Sequence, residues 1–259
     1  MLETKGLTIR FGGHVAVDHV SCAFAPGTLT AIVGPNGAGK TTYFNLISGQ
    51  LPASEGQVLL DGQDITTLPA PLRTRRGLGR AFQLTQLFPN LTVRENVRLA
   101  IQAREAGRGQ GGGWGGVDLF RVWSDRKAWT AEAQAILAQV RLASQADAHA
   151  SALPHGDQRK LEVALLIALD PKVFMFDEPT AGMSVDEVPV ILDLIRELKA
   201  RRDCTILLVE HKMDVVRELA DRIIVLHNGQ LVADGEPAAV IASPVVQQAY
   251  LGMAAEEPS

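Results

Sequence analysis

The segment 34–42 has the residue types and the spacing that bind phosphate groups. It fits the pattern G-x-x-x-x-G-K-[ST], whose fixed positions are Gly34, Gly39, Lys40 and Thr41. In such a loop successive backbone N–H groups point inward and form an anion site, and the helix that follows adds its positive N-terminus. Lys40 is then expected to reach the β- and γ-phosphates of a nucleoside triphosphate, and Thr41 to bind Mg²⁺ through its hydroxyl. The residues predicted to contact the nucleotide are Gly34, Pro35, Asn36, Gly37, Ala38, Gly39, Lys40, Thr41 and Thr42.

The sequence on either side of this loop matches the context that phosphate binding requires. Leu29–Val33 is a short apolar run typical of a buried strand, and Tyr43–Ser48 has the composition of the start of a helix. An accidental glycine loop is the alternative interpretation. A strand, a glycine loop and a helix in this order favour phosphate binding instead.

Two adjacent carboxylates, Asp177 and Glu178, follow the apolar run Val173–Phe176. Ligands of parallel α/β sheets collect at the carboxyl ends of the strands, so we expect Asp177 near the phosphate loop, in the Mg²⁺ shell. Glu178 would then orient or deprotonate an attacking water. An acidic strand exit is a common alternative, but the upstream phosphate loop and the following Pro179 favour catalysis.

Gln83 and His211 also follow predicted strands, Gly79–Phe82 and Cys204–Val209. The Gln83 amide could contact Mg²⁺ or the attacking water, and the His211 imidazole could hydrogen-bond the terminal phosphate. A surface glutamine and a structural histidine are the alternatives. A functional role for either residue is favoured only by its position in the series of motifs.

The composition is that of an ordinary globular protein with room for one large domain or two small ones. The 259 residues include 25 Lys+Arg and 29 Asp+Glu, giving a net charge of −4, which does not favour a nucleic-acid-binding surface. Cys22 and Cys204 lie far apart in apolar surroundings and are expected to be buried and reduced. Because the longest apolar run is Val163–Leu169, we expect a soluble chain that reaches any membrane by docking on a partner.

The order of elements predicts an α/β core interrupted by a helical segment. Leu2–Arg10 and Val15–Phe24 alternate apolar and polar residues, which predicts a hairpin of half-buried strands. Later apolar strands alternate with amphipathic helices, which predicts a parallel sheet with helices on both faces. We therefore expect an α/β core with an antiparallel β element over about 1–91 and 170–243, and a C-terminal tail over 244–259.

The segment 92–169 between these parts of the core is predicted to be a mostly helical subdomain. Thr92 is a favourable N-cap for a helix over Val93–Arg104, with Glu95 at the capping-box position. The segment 107–116 carries seven glycines and is predicted to be a flexible loop. The pattern is helical again from Val117 to Leu142.

The motifs occur in the order found in ATP-binding-cassette (ABC) ATPases, and the chain resembles that family over nearly its whole length. The matching segments are Gly34–Thr41, Gln83, Leu153–Gln158, Phe176–Glu178 and His211, which resemble the family's Walker A, Q-loop, signature, Walker B with catalytic glutamate, and switch histidine. Phe11 stands upstream of the phosphate loop, where the family has an aromatic residue that stacks on adenine.

This resemblance implies a P-loop NTPase fold, ATP and Mg²⁺ as ligands, and head-to-tail dimers that sandwich two ATP molecules. It implies catalytic roles for Glu178, His211 and Gln83, and a metal shell that includes Thr41, Gln83 and Asp177. The signature residues expected to contact the partner's ATP are Pro154, His155, Gly156, Asp157 and Gln158.

Within that family, the chain resembles the ATPase subunits of bacterial branched-chain amino-acid importers, to which urea and short-amide importers are closely related. The resemblance rests on the segments Asp177–Met183 and Gln248–Gly252. Two residues depart from the wider family: Pro154 replaces the serine that contacts the γ-phosphate across the dimer, and Ser184 stands where the D-loop usually has aspartate.

We therefore expect an importer ATPase that is peripheral on the cytoplasmic face of the inner membrane. The expected partners are permease subunits, a second and different cassette ATPase, and an external solute-binding protein that acts through the permease; no nucleic acid is expected. Two alternatives remain open. One is a soluble cassette ATPase that serves assembly or scaffolding, and the other is a low-turnover regulatory module favoured by the altered signature.

Overall fold

A computed structural model describes residues 1–81, 87–108, 119–244 and 246–248. The strands are β1 (Leu2–Phe11), β2 (His14–Phe24), β3 (Leu29–Val33), β4 (Glu55–Leu60), β5 (Gln63–Asp64), β6 (Leu78–Ala81), β7 (Val173–Asp177), β8 (Thr205–Val209), β9 (Arg222–His227) and β10 (Gln230–Gly235). The helices are α1 (Lys40–Ser48), α2 (Ala70–Arg75), α3 (Val93–Arg108), α4 (Leu119–Gln139), α5 (His155–Leu169), α6 (Val188–Ala200), α7 (Met213–Leu219) and α8 (Pro237–Ala242). No helix of the described ranges is long and apolar enough to cross a membrane.

The central sheet contains six strands in the order β10-β9-β3-β8-β7-β6. Strand β3 pairs in parallel with β8 and β9, and β7 pairs in parallel with β8. All residues of β3, β7 and β8 are buried, as expected for apolar strands covered on both faces. Strand β10 is the antiparallel edge strand, because the turn through Asn228 and Gly229, both at positive φ, reverses the chain after β9.

A second sheet of four antiparallel strands has the order β2-β1-β4-β5. Its first two strands form the predicted hairpin, with Phe11 opposite His14 at the turn. This sheet and α1 pack on the same face of the central sheet, in a core that contains Phe24, Phe44 and Ile32. The neighbours of Ile32 in β3 belong to the core on the opposite face, with residues of α7 and α8. Both faces are therefore covered, which confirms the predicted α/β layering.

The contacts divide the chain into two compact units. The first comprises Met1–Arg80, Lys172–Glu178 and Ile195–Ser259, and the second comprises Ala81–Pro171 and Pro179–Leu194. The domain boundaries expected from the sequence stay a prediction.

The second unit is mostly helical, and its helix α3 begins at the predicted cap. The Thr92 backbone N–H donates to Glu95 Oε2 at 2.8 Å, and the Glu95 N–H donates to Thr92 Oγ1 at 3.2 Å. These two bonds are the reciprocal pair of a capping box and confirm the prediction. The helix continues through Gly107 to Arg108, beyond the predicted end, because one glycine costs a helix only about 1 kcal/mol. The rest of the glycine-rich segment lies outside the described residues.

Arg73 is a buried cation that the sequence pattern did not single out. Its guanidinium donates to the carbonyl oxygens of Leu46 and Ile47, both at 2.7 Å, and of Leu68 at 2.8 Å. Burial lowers the pKa of Arg73 to about 10. The side chain thereby satisfies carbonyls of the last turn of α1, which a helix C-terminus leaves without intrahelical partners.

Candidate functional site

The phosphate loop joins the buried strand β3 to the start of α1, as predicted. Gly34 has φ 151° and Gly39 has φ 97°. A Cβ atom on Gly34 would lie 2.1 Å from the Leu226 carbonyl oxygen, and one on Gly39 would lie 2.5 Å from that of Ala16. Both positions therefore require glycine, because of the backbone conformation and because neighbouring strands pass so closely.

Helix α1 begins at Lys40, earlier than the sequence suggested, with Gly39 as its N-cap. No side chain caps this helix end. The N-terminus of α1 is thus available to complement an anion, as the predicted function requires. The loop residues are buried or half-buried, except for the exposed Asn36 and Gly37.

The Lys40 ammonium is folded back over the loop. Its Nζ donates to the carbonyl oxygens of Gly34 at 2.7 Å and Pro35 at 2.9 Å, and only 6% of the residue is exposed. Burial lowers the pKa of Lys40, and the nearby charges of Glu178 and Asp177 oppose that change. Since an ammonium carries three donors, Lys40 can keep these contacts and still donate to a phosphate oxygen.

Asp177, the last residue of β7, forms a buried ion pair. Its Oδ2 accepts a hydrogen bond from Arg80 Nη2 at 2.6 Å, while Oδ1 is buried with no hydrogen-bond partner among the described residues. Burial raises the pKa of Asp177, and the Arg80 guanidinium opposes the rise. One carboxylate oxygen is thus held by the protein and the other is uncommitted within the described part of the chain.

Glu178 and His211 meet directly. His211 Nε2 lies 2.8 Å from Glu178 Oε1, a distance that fits a hydrogen bond from the ring to the carboxylate. Glu178 has φ 49°, a conformation that costs a non-glycine residue about 1–3 kcal/mol and often occurs at functional sites. Its backbone N–H donates to the Val209 carbonyl at 2.9 Å, which anchors this turn to β8.

Glu210 holds the backbone on which His211 lies. Its Oε2 accepts from the backbone N–H of His211 at 2.9 Å and of Lys212 at 3.3 Å, and the residue is buried. The sequence reasoning missed Glu210 and Arg80. The same sequence feature could have identified both, because each is a charged residue in or directly after a short apolar strand.

The described residues fit a magnesium ion held mainly by a nucleotide. They contain no cluster of three or more His, Cys, Asp or Glu residues that could bind a metal by themselves. Mg²⁺ often binds through one or two carboxylates together with phosphate oxygens and water. The uncommitted Asp177 Oδ1 and the Thr41 hydroxyl, on the first turn of α1, are suitable donors for such a shell. Gln83, the other predicted donor, lies outside the described residues.

Phe11 ends β1 and exposes 51% of its surface. It is therefore not a core residue. The partner strand β2 passes the phosphate loop at Ala16, whose carbonyl oxygen lies beside Gly39. An exposed aromatic ring on this hairpin is a suitable surface for stacking on a base.

The signature residues belong to the second compact unit. Pro154 is the N-cap of α5 and forms no side-chain cap bond; both Pro154 and His155 are exposed. The Gln158 side chain donates to the Leu153 carbonyl at 2.9 Å. The end of α5 that carries the signature is thus fixed internally, with two exposed residues at its start.

The Glu187 carboxylate packs against Gly156. A Cβ atom on Gly156 would lie 2.3 Å from the Glu187 carboxylate oxygens. Lys160 Nζ lies 2.8 Å from Asp157 Oδ1 and 3.1 Å from Glu187 Oε1, so it bridges the two acids. The Ser184 hydroxyl donates to Glu187 Oε2 at 2.9 Å. The sequence analysis assigns this glycine to contact with the partner's ATP, and it missed the packing of Glu187.

Comparison with known proteins gives consistent similarities. The profile of the family described as ABC transporter matches residues 17–181. The high-affinity branched-chain amino acid transport ATP-binding protein LivG of Escherichia coli K12 is 38% identical over 257 residues, or 98% of each chain.

Solved structures of ATP-binding cassettes are also similar to this chain. A cassette of an ABC transporter in its ADP conformation has a TM-score of 0.78 and 30% identity, covering 97% of this chain and 98% of that one. A dimeric cassette in a post-hydrolysis state with ADP and Pi has a TM-score of 0.76 and 25% identity, covering 92% and 99%.

Proposed function

The chain belongs to the ABC transporter family of ATPases, and we propose that it energises a bacterial importer of branched-chain amino acids or a related small polar solute. The observation that carries the proposal is the grouping of Lys40, Asp177, Glu178 and His211 at one edge of the central sheet. The solute class comes from LivG, whose name assigns it to branched-chain amino acid transport. Permease subunits would receive this chain on the cytoplasmic face of the membrane, and an external solute-binding protein would supply them.

In this proposal the phosphate loop and Lys40 bind the triphosphate of ATP. Thr41, Gln83 and Asp177 hold Mg²⁺, which when bound neutralises charge on the β- and γ-phosphates. Glu178 orients the attacking water and accepts its proton. The 2.8 Å contact between His211 Nε2 and Glu178 Oε1 supports a role for His211 in orienting this carboxylate. In the proposal the His211 imidazole also hydrogen-bonds the terminal phosphate.

The signature would serve a second ATP molecule in a head-to-tail dimer. Pro154 offers neither a hydroxyl nor a backbone N–H at the start of α5, whereas the residues on the phosphate-loop side of the chain are intact. A partner cassette with a more regular signature would complete the ATP site of this chain, and the two sites would hydrolyse ATP at different rates. We therefore propose a heterodimer of two cassette subunits.

Glu178→Gln tests the catalytic assignment. The amide keeps the shape of the side chain but cannot accept the proton, so hydrolysis should fall by about 10²–10⁴-fold while ATP still binds. The measurement is single-turnover ATP hydrolysis together with nucleotide affinity. Asp214→Asn is the matched control, since that carboxylate on α7 is 99% exposed, and its activity should be unchanged. Near-normal turnover in Glu178→Gln would assign the base to another residue.

Phe11→Ala tests base stacking. Stacking on an aromatic side chain contributes about 1–3 kcal/mol, so ATP affinity should weaken by about 5- to 150-fold with no loss of melting temperature. Phe11→Trp is the control and should retain affinity, because it keeps a stacking surface. GTP should also bind, since stacking does not depend on the identity of the base. Unchanged affinity in the alanine variant would contradict the assignment.

The composition of the native complex tests the importer and the heterodimer together. The complex is purified from membranes through a tag on this chain, and its subunits are counted by native mass spectrometry. We expect permease subunits, one copy of this chain and one different cassette. Two copies of this chain without a second cassette would contradict the heterodimer. Recovery without any permease would contradict the importer and favour a soluble assembly or scaffolding ATPase.

A further inference from the structure

Arg80 is a buried arginine whose charge is paired with a buried carboxylate. Only 5% of its side chain is exposed, and that of Asp177, its ion-pair partner, is fully buried. Two charges removed from water are costly unless their geometry is good and their remaining polar atoms are satisfied. The short contact between Arg80 Nη2 and Asp177 Oδ2, 2.6 Å, meets the first requirement, whereas Arg80 Nε and Asp177 Oδ1 have no hydrogen-bond partner among the described residues.

The other arm of the guanidinium is anchored to α1 and the residues after it. Arg80 Nη1 donates to Asn45 Oδ1 at 2.6 Å, to Ser48 Oγ at 3.0 Å and to Gln50 Oε1 at 3.1 Å. The guanidinium carbon lies 5.4 Å from the centre of the Phe44 ring, within the range of a cation–π contact. Arg80 is therefore fixed to the helix that follows the phosphate loop.

Arg80 links two parts of the site that are expected to bind the same metal ion, namely helix α1 and the end of strand β7. Helix α1 carries Thr41 at its start and anchors Arg80 near its end, while Arg80 contacts the carboxylate that ends β7. Because Arg80 occupies Asp177 Oδ2, the carboxylate cannot rotate freely, and Oδ1 is the atom without a partner in the described chain.

We propose that Arg80 is a positioning residue that holds Asp177 through Oδ2 and leaves Oδ1 for the magnesium shell. The inference rests on the proposed function, in which Asp177 belongs to that shell. Partners that orient a metal-binding side chain typically change metal affinity or activity by about 10- to 100-fold when they are altered. A lysine at this position keeps the charge, but its single ammonium cannot span Asp177 and the anchors on α1 with the same fork geometry.

The test is Arg80→Lys in the full-length chain. Mn²⁺ is titrated in the presence of a non-hydrolysable ATP analogue, and free Mn²⁺ is followed by electron paramagnetic resonance. Nucleotide affinity without metal and the melting temperature are measured in parallel. We expect Mn²⁺ affinity to fall by about 10- to 100-fold while metal-free nucleotide affinity stays within twofold of the unaltered chain. Unchanged or tighter Mn²⁺ binding in a folded Arg80→Lys chain would overturn the inference.

Arg73→Lys is the matched structural control. Arg73 is also buried in the same compact unit, but its hydrogen bonds within the described residues go to backbone carbonyls. This variant should lower the melting temperature and leave Mn²⁺ affinity unchanged. An equal loss of Mn²⁺ affinity in both lysine variants would reduce the role of Arg80 to general stability and contradict the inference.

Two further variants separate the possible failures. Asp177→Asn should weaken Mn²⁺ binding at least as much as Arg80→Lys; if it does not, the magnesium assignment of the proposed function fails. If it does and Arg80→Lys binds Mn²⁺ normally, the magnesium assignment stands and only the positioning role of Arg80 fails.

Should Arg80→Lys not fold, Asn45→Ala/Ser48→Ala removes two anchors and retains the ion pair. That variant should also weaken Mn²⁺ binding, and normal binding in it would contradict the proposal.

Discussion

The parallel register of β3, β8 and β7 is the constraint on which the candidate site depends. Ile32 and Asp177 both pair with Val209, so the three strands end at nearly the same level. The phosphate loop, the pair Asp177–Glu178 and the segment that carries His211 therefore leave the sheet side by side. A slip of one residue would turn the side chains of a strand to the opposite face and separate these groups.

Several charged side chains lie at that shared edge, and they contact other groups of the protein. The Lys40 ammonium binds carbonyls of its own loop, Asp177 pairs with Arg80, and Glu178 meets His211. Each of these charged groups thus has a partner among the described residues. A nucleotide and its metal would add to these contacts, since Lys40 has a further donor and Asp177 Oδ1 is uncommitted among the described residues.

The local part of this arrangement could be predicted from the sequence. The glycines and the flanking elements are sufficient to predict the phosphate loop, and a strand that ends at the carboxylate pair is sufficient to predict the position of that pair. The roles of Arg80 and Glu187 could not be predicted, because Asp177 lies 97 residues from Arg80 along the chain and Lys160 lies 27 residues from Glu187. The sequence also predicts a later start for α1 than the structure has, because threonines are weak helix formers. In the structure the glycine loop sets the first helical residue at Lys40.

The central claim is that MgATP binds at this edge, with its phosphates on the loop and its metal between Thr41 and Asp177. The most direct test is a crystal structure of the chain with a non-hydrolysable ATP analogue and Mn²⁺, in which anomalous scattering locates the metal. We predict one metal peak about 2 Å from Thr41 Oγ1, on the Oδ1 side of Asp177 either directly or through one water. Phosphates bound away from Lys40, or a metal peak away from both Thr41 and Asp177, would contradict the account.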